Sequence, residues 1–400
     1  SGEPAWFENA GPRRRASGSL AMVAGRALSA LSFAAALGMT VSAAVAGEII
    51  SGPAGEPVHA QLCPRLESEL KDARFRHACA TSSGAVETIA RIARSPLSVG
   101  FVPLDQLAHA SRGGVELTGL TILGRSDARV CLFIATRSST LQSYGDIAAQ
   151  IGKVRVILPP RSSAGAEAFA YLQSIDPDGL GKARVISHAA SAEDAVKEAM
   201  SADDIVTLVS EWPDPESPRL KAVLEADGRF VAFADRTLLR KEVLGRRIYL
   251  PVEVEVTPAT WTKAARKVAT VCSPIAIVAA AQSVVPERDR QDHLDLIATI
   301  ETMRPEALTP RDGRVARYMK STRDLTGASV EELIRLSEEA RVKAQPYVDK
   351  AIAAGKQAVE AAKPHVEKAK DIGAEALAKA REDFKALMDG LRRDTTPRKE

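Results

Sequence analysis

The stretch from Thr81 to Asp105, TSSGAVETIARIARSPLSVGFVPLD, restricts the possible folds of this chain more than any other, because it packs a small-residue turn, a helix and a buried strand into one unit. Ser82, Ser83, Gly84 and Ala85 leave main-chain N–H groups uncovered at a helix start, where an anion or a carboxylate is favoured. Val86, Ile89, Ile92 and Ala93 recur at helical spacing, so 86–94 reads as a short amphipathic helix that Pro96 ends. Leu97, Val99, Phe101 and Val102 then form an apolar run between two prolines, which suits a strand buried in a parallel sheet. Pro103, Leu104 and Asp105 follow at its carboxyl end, where open α/β sheets place ligand-contacting loops.

The same alternation runs through the chain. A strand over 47–50 enters the glycine-containing loop Ser51-Gly52-Pro53-Ala54-Gly55, a helix is expected over 58–70, and a short strand over 74–79 leads to Thr81. Two apolar runs, 117–123 and 130–135, are separated by Arg125, Ser126 and Asp127 in a hinge-like way. Beyond them a helix over 141–151 and a strand over 153–158 lead into the loop Pro159-Pro160-Arg161-Ser162-Ser163-Ala164-Gly165 and a helix over 166–172, which offers a second helix N-terminus. Arg161 adds a guanidinium fork that suits a carboxylate, although most arginines are simply solvated. Strands over 184–187, 205–209 and 230–233 alternate with helices over 192–200 and 235–243. The pattern 252–256 alternates as an exposed strand does, 268–281 is an apolar strand with its continuation, and a helix over 290–303 closes the series. Strand and helix in turn mean an α/β protein.

In this order, Ser82-Ser83-Gly84-Ala85-Val86-Glu87-Thr88-Ile89 and the later Leu104-Asp105 resemble the Thr-Gly-Gly-Ser-x-Glu-Asn-Leu turn and Asp-ended strand of the TAXI family of periplasmic solute receptors that serve TRAP transporters. Ser163-Ala164-Gly165 is a loose match to that family's second loop, and Arg246-Arg247-Ile248-Tyr249 to its tyrosine-containing return segment. Two positions depart: the family's serine is Ala85 and its asparagine is Thr88. The resemblance implies a two-lobed type II periplasmic binding protein fold, with lobe 1 over 47–134 and 246–303, lobe 2 over 135–245, and the crossing near Ile134 to Arg137. It also implies capture of a small organic anion, an amino acid or carboxylate, by hinge closure, for delivery to the membrane components of a TRAP-type transporter. The pocket expected from loops and resemblance together comprises Ser51, Gly52, Ser82, Ser83, Gly84, Asp105, Arg161, Ser162 and Ser163, with Trp212 and Tyr249 as walls. A lone tryptophan is as readily a plain core aromatic.

Export is expected. Arg13, Arg14, Arg15 and Arg26 precede an uncharged stretch over 27–46, and Ala44-Val45-Ala46 matches the pattern at which signal peptides are cut, so residues 1–46 read as an export signal and the periplasm as destination. Cys63, Cys79, Cys131 and Cys272 fit an exported chain with two disulfides rather than a metal site. Cys63 with Cys79 would close a short loop, and Cys131 and Cys272 sit in apolar runs that suit adjacent strands, but the spacing leaves all three connectivities open. A net charge of +3 with interspersed signs and 4% aromatics gives a nucleic-acid partner little support.

The last stretch, 304–400, is expected to be a helical extension. Val348, Ile352, Gly355, Val359, Ala362, Val366, Ala369 and Gly373 form a heptad-like seam suited to self-association or to an envelope partner. No HExxH, GxSxG or GxxxxGK[ST] string occurs and the six histidines are scattered singly, so neither an enzyme nor a cofactor nor a metal is expected. One rival to a receptor is an envelope scaffold whose receptor-like body has lost its ligand and whose tail is the active part; the other, a periplasmic hydrolase, is disfavoured by the missing triad or metal pattern.

Overall fold

The computed structural model describes residues 46–123, 127–259, 261–262, 264–310 and 312–343, with a few isolated positions after 350. Residues 1–45 of the expected export segment and the heptad-like seam lie outside the described residues, and Ala46, the last of that segment, is the first residue of a strand. The first lobe opens with β1 (Ala46–Ser51), α1 (Pro57–Gln61), α2 (Cys63–Asp72), β2 (Arg76–Ala80), α3 (Ala85–Arg94), β3 (Val99–Pro103), α4 (Leu104–Arg112) and β4 (Leu120–Leu123). The strand β5 (Arg129–Thr136) carries the chain into the second lobe. There follow α5 (Tyr144–Gln150), β6 (Arg155–Leu158), α6 (Ala164–Ile175), β7 (Val185–His188), α7 (Ala192–Ala199), β8 (Ile205–Glu211), α8 (Pro218–Glu225) and β9 (Arg229–Val231). A short α9 (Arg236–Leu239) and the hairpin of β10 (Glu242–Val243) and β11 (Arg246–Arg247) precede β12 (Leu250–Thr257). The long β13 (Arg266–Ala280) returns to the first lobe, where α10 (Arg290–Thr302) covers it.

Each lobe repeats one strand order. In the first, β2, β1 and β3 are parallel and the incoming β13 lies antiparallel between β3 and β4. In the second, β7, β6 and β8 are parallel and the incoming β5 lies antiparallel between β8 and β9. Each lobe thus receives a strand from the other, which is the two-lobed α/β arrangement of type II periplasmic binding proteins. Where the two crossing strands meet, Leu132 pairs with Val271 and Cys131 with Cys272, and the second pair is a disulfide. Cys63 and Cys79 form the other and tie α2 to β2. Of the three connectivities open in the sequence, the fold selects this one.

The chosen elements follow local chemistry. β3 is buried along its whole length, as its apolar run requires, and Gly100 lets the Thr88 methyl and Ile92 of α3 pack onto it. β12 buries every second residue, Val252, Val254 and Val256, so its alternation is that of a half-buried strand. The helix expected over 235–243 is shorter, because Leu244 and Gly245 take positive φ and turn the chain into the β10–β11 hairpin. The continuous helix expected over 58–70 is two helices, α1 and α2.

After 303 the chain straps the body. Leu308, Val315 and Met319 enter the first lobe's core, the last two from α11 (Gly313–Ser321). Then β14 (Arg323–Asp324) pairs with β12, and a helix over 328–343 crosses to the second lobe. There Arg341 pairs with Asp176 at 3.0 Å, and Asp176 also accepts the buried Tyr144 hydroxyl at 2.7 Å. Among the described residues no helix is long and apolar enough to cross a membrane.

The Cys131–Cys272 bond spans 141 residues of sequence at the crossing of the lobes. Replacing both cysteines by alanine is expected to lower stability by about 2–4 kcal/mol in guanidinium unfolding. A loss well below that range would show that the ladder, not the bond, holds the crossing.

Candidate functional site

The starts of α3 and α6 meet at one crevice between the lobes. Gly52, Glu56, Gly84, Phe101, Gln106 and Val130 line it from the first lobe, and Ser162, Ala164 and Ser210 from the second. Its free volume is about 20 Å³, against the several hundred Å³ of an ordinary small-molecule pocket, so it accommodates about one water. The two lobes are pressed together. Ile89, Leu104 and Leu107 of the first lobe share one core with Phe169, Tyr171 and Leu172 of α6, and Arg112 of α4 donates to the Ser174 carbonyl at 3.0 Å.

Each helix start meets an acidic side chain from the opposite lobe. Ala164 N–H, the first of α6, donates to Glu56 Oε1 at 3.3 Å. Glu167, in the first turn of α6, reaches back to the start of α3, where its carboxyl lies against Gly84, the residue before Ala85. Gly84, at φ +133°, lies against Glu167, and a methyl group there would collide with Glu167 Oε1. Glycine is required here both for the backbone and for the close approach.

Burial, then the charge of Asp105 and of Glu56, push the Glu167 carboxyl up to about 8, although the Ala85 N–H pulls the other way. A helix N-terminus returns up to about 2 kcal/mol to a partly buried carboxylate. The rise from the ordinary 4.5 to about 8 corresponds to about 5 kcal/mol against its charge, so Glu167 keeps its proton at neutral pH. Its Oε2 is buried without a hydrogen-bond partner. Glu56 is also raised, mainly by burial, against the nearby Arg219 guanidinium. Arg219 binds Glu193 at 2.9 Å and the buried Glu211 at 3.2 Å.

The expected pocket residues have different surroundings. Gly52, Gly84 and Ser162 line the crevice. Ser163 caps α6, its hydroxyl accepting from Ala166 N–H at 3.2 Å. Ser51 is buried and bonded to the His59 ring at 2.9 Å. Ser82 is buried with its hydroxyl on Thr88 at 2.8 Å, and Thr88 in turn donates to the Gly84 carbonyl, so the threonine braces the turn. Ser83 gives both its N–H and its hydroxyl to Glu87, each at 2.7 Å. Arg161 is exposed and does not line the crevice. Trp212 packs in the first-lobe core beside Val58 and Val130. Tyr249 is fully buried and points its hydroxyl at Asp105 Oδ2, 3.4 Å away.

Asp105 is the second residue of α4, which starts directly after β3, and the Gln106 N–H also donates to it at 2.9 Å. Burial raises its carboxyl to about 6, against the hydrogen bonds of Ser273, Gln106 and Tyr249. Among the described residues, no group of three His, Cys, Asp or Glu side chains is placed to hold a metal ion. Glu56, Glu167, Glu211 and Arg219 were not singled out by sequence reasoning. The one available signal was the acidic residue in the first turn of α6, which local rules assign to its own helix.

No protein-family model matches this chain, and no curated protein does. Among solved structures it is similar to a periplasmic transporter (13% identity, TM-score 0.39, covering 76% of this chain and 97% of that one). It is also similar to a Bordetella ferric binding protein (14%, TM-score 0.31, covering 76% and 98%). A third is a possible phosphate binding protein from Planctomyces limnophilus (11%, TM-score 0.34, covering 75% and 99%). These scores are low, and the strand order within each lobe is what identifies the fold.

An acid whose pKa is raised by folding holds a proton that the unfolded chain releases, so it weakens the fold as pH rises between the two values. For Asp105 that window runs from 3.8 to about 6. Relative to Asp105→Asn, the wild-type protein is expected to lose about 3 kcal/mol of stability across it. Parallel pH profiles of the two proteins in urea unfolding would refute the assignment.

Proposed function

We propose that the protein is an exported solute receptor that captures a small organic anion, an amino acid or carboxylate, between its lobes for a TRAP-type transporter of the TAXI kind. The carrying observation is that two helices, α3 and α6, start at one crevice, where the first N–H of α6 already holds the Glu56 carboxylate and the Glu167 carboxyl lies against the start of α3. A site that satisfies a glutamate side chain offers a solute carboxylate the same donors. Two crossing strands supply the hinge on which such lobes close. The two disulfides support an oxidising destination such as the periplasm. Gly52, Gly84, Ser162 and Ser163 are the proposed first contacts, with Asp105 and Tyr249 shaping the floor.

A second reading is favoured by the small crevice volume and by its occupation by the protein's own carboxylates. In it the body is a degenerate receptor acting as an envelope scaffold, and the C-terminal stretch carries the partner. The two readings part in a thermal-shift screen of the full chain against organic acids and amino acids. Under the receptor reading at least one compound at about 100 times its dissociation constant adds about 2.7 kcal/mol, a rise of several degrees. Silence across the whole screen, at acid and alkaline pH, would leave the scaffold reading standing.

A further inference from the structure

The contacts that close the crevice are reciprocal. Glu56 leaves the loop after β1 in the first lobe and takes the first N–H of α6, while Glu167 leaves α6 in the second lobe and packs its carboxyl against Gly84 at the start of α3. Neither lobe can swing away without both contacts breaking. Gly84 has no side chain where Glu167 lies, so the fold makes room for this carboxylate. Resting on the receptor reading above, we propose that Glu56 and Glu167 form a built-in latch, two internal carboxylates that occupy the sites of an acid solute and hold the lobes shut until a solute carboxylate takes their place.

The surroundings make the latch sensitive to protons. Glu167 faces Asp105 of α4, Glu56 of the loop after β1 and the Ala85 N–H of α3. Glu56 faces Ala164 N–H of α6, Arg219 of α8, Glu211 of β8 and Glu193 of α7. Ionising Glu167 in the closed crevice adds a negative charge among these carboxylates, whereas in an open crevice it meets water. The closed form therefore binds a proton that the open form releases. With the closed-state value near 8 and the ordinary one at 4.5, a rise in pH between them favours opening and acidification favours closure.

The test measures the distance between spin labels at Ser68 on α2 and Lys197 on α7, both exposed, in the full chain with its disulfides intact. The wild-type distribution is expected to lengthen as pH is raised from about 6 to about 9. Glu167→Gln, which keeps an acceptor oxygen but cannot ionise, is expected to stay short throughout. The double variant Glu56→Ala/Glu167→Ala is expected to be long already at about pH 6 and to shorten when formate or acetate is added. A wild-type distance that ignores pH, a Glu167→Gln profile that follows the wild type, or a double variant as short as the wild type without added acid would each overturn the latch. If the double variant does not fold, the Glu167→Gln comparison decides alone. Failure of the latch shows in these distances, and failure of the receptor reading shows in the solute screen, so the two are distinguishable.

Discussion

Unsatisfied main-chain N–H groups at the starts of two helices are the constraint around which this structure is arranged. The first N–H groups of a helix have no partner within it, and burial makes leaving them unpaired costly. At α3 and α6 they face a shared crevice that holds about one water, so side chains must satisfy them. On α3, Glu87 serves the Ser83 end from within the same helix, and Glu167 packs against Gly84 from the other lobe. On α6, Ser163 serves Ala166 locally and Glu56 serves Ala164 from across the gap. Each helix start is therefore met partly by its own segment and partly by an acidic side chain of the opposite lobe.

The rest of the molecule keeps that meeting place in register. The strands exchanged between lobes run antiparallel through one ladder, and a disulfide joins them there. A single apolar core extends from Ile50 and Ile89 through α4 and α6 to Phe233 and Tyr249. The segment after 303 touches first the outer core of one lobe, then β12, then the Asp176–Tyr144 pair of the other. These ties act at the crossing and along the flank, whereas the glutamates act at the crevice. Stiffness in one place and exchangeable polar contacts in the other are what a hinge needs.

Much of the fold was legible because it rests on local signals. The small-residue turns before α3 and α6, the buried run of β3, the alternation of β12 and the length of β13 all carry the period of the structure they adopt. Two helices were not legible. α4 buries Leu104, Asp105, Gln106, Leu107, Ala108 and Ala110 between the lobes, so it lacks the polar stripe that marks a surface helix. α8 was hidden by the prolines around it, although Pro218 falls in its first turn, where proline is tolerated. Ser51, Ser82 and Ser83 were singled out for their hydroxyls, yet each hydroxyl is held by a residue within eight positions of it. Small polar residues near turns bond their neighbours more readily than a distant ligand.

By itself the sequence determined the α/β class, the two turns that start α3 and α6, and a set of cysteines suited to an oxidising compartment, since each depends on residues close together in the chain. Only the tertiary structure decided which groups those turns would hold. Glu56 lies 108 positions from Ala164, and Glu167 sits where its own helix would claim it. The partner of a buried amide is set by which side chains the lobes bring together when they close, and distance along the chain says nothing about that.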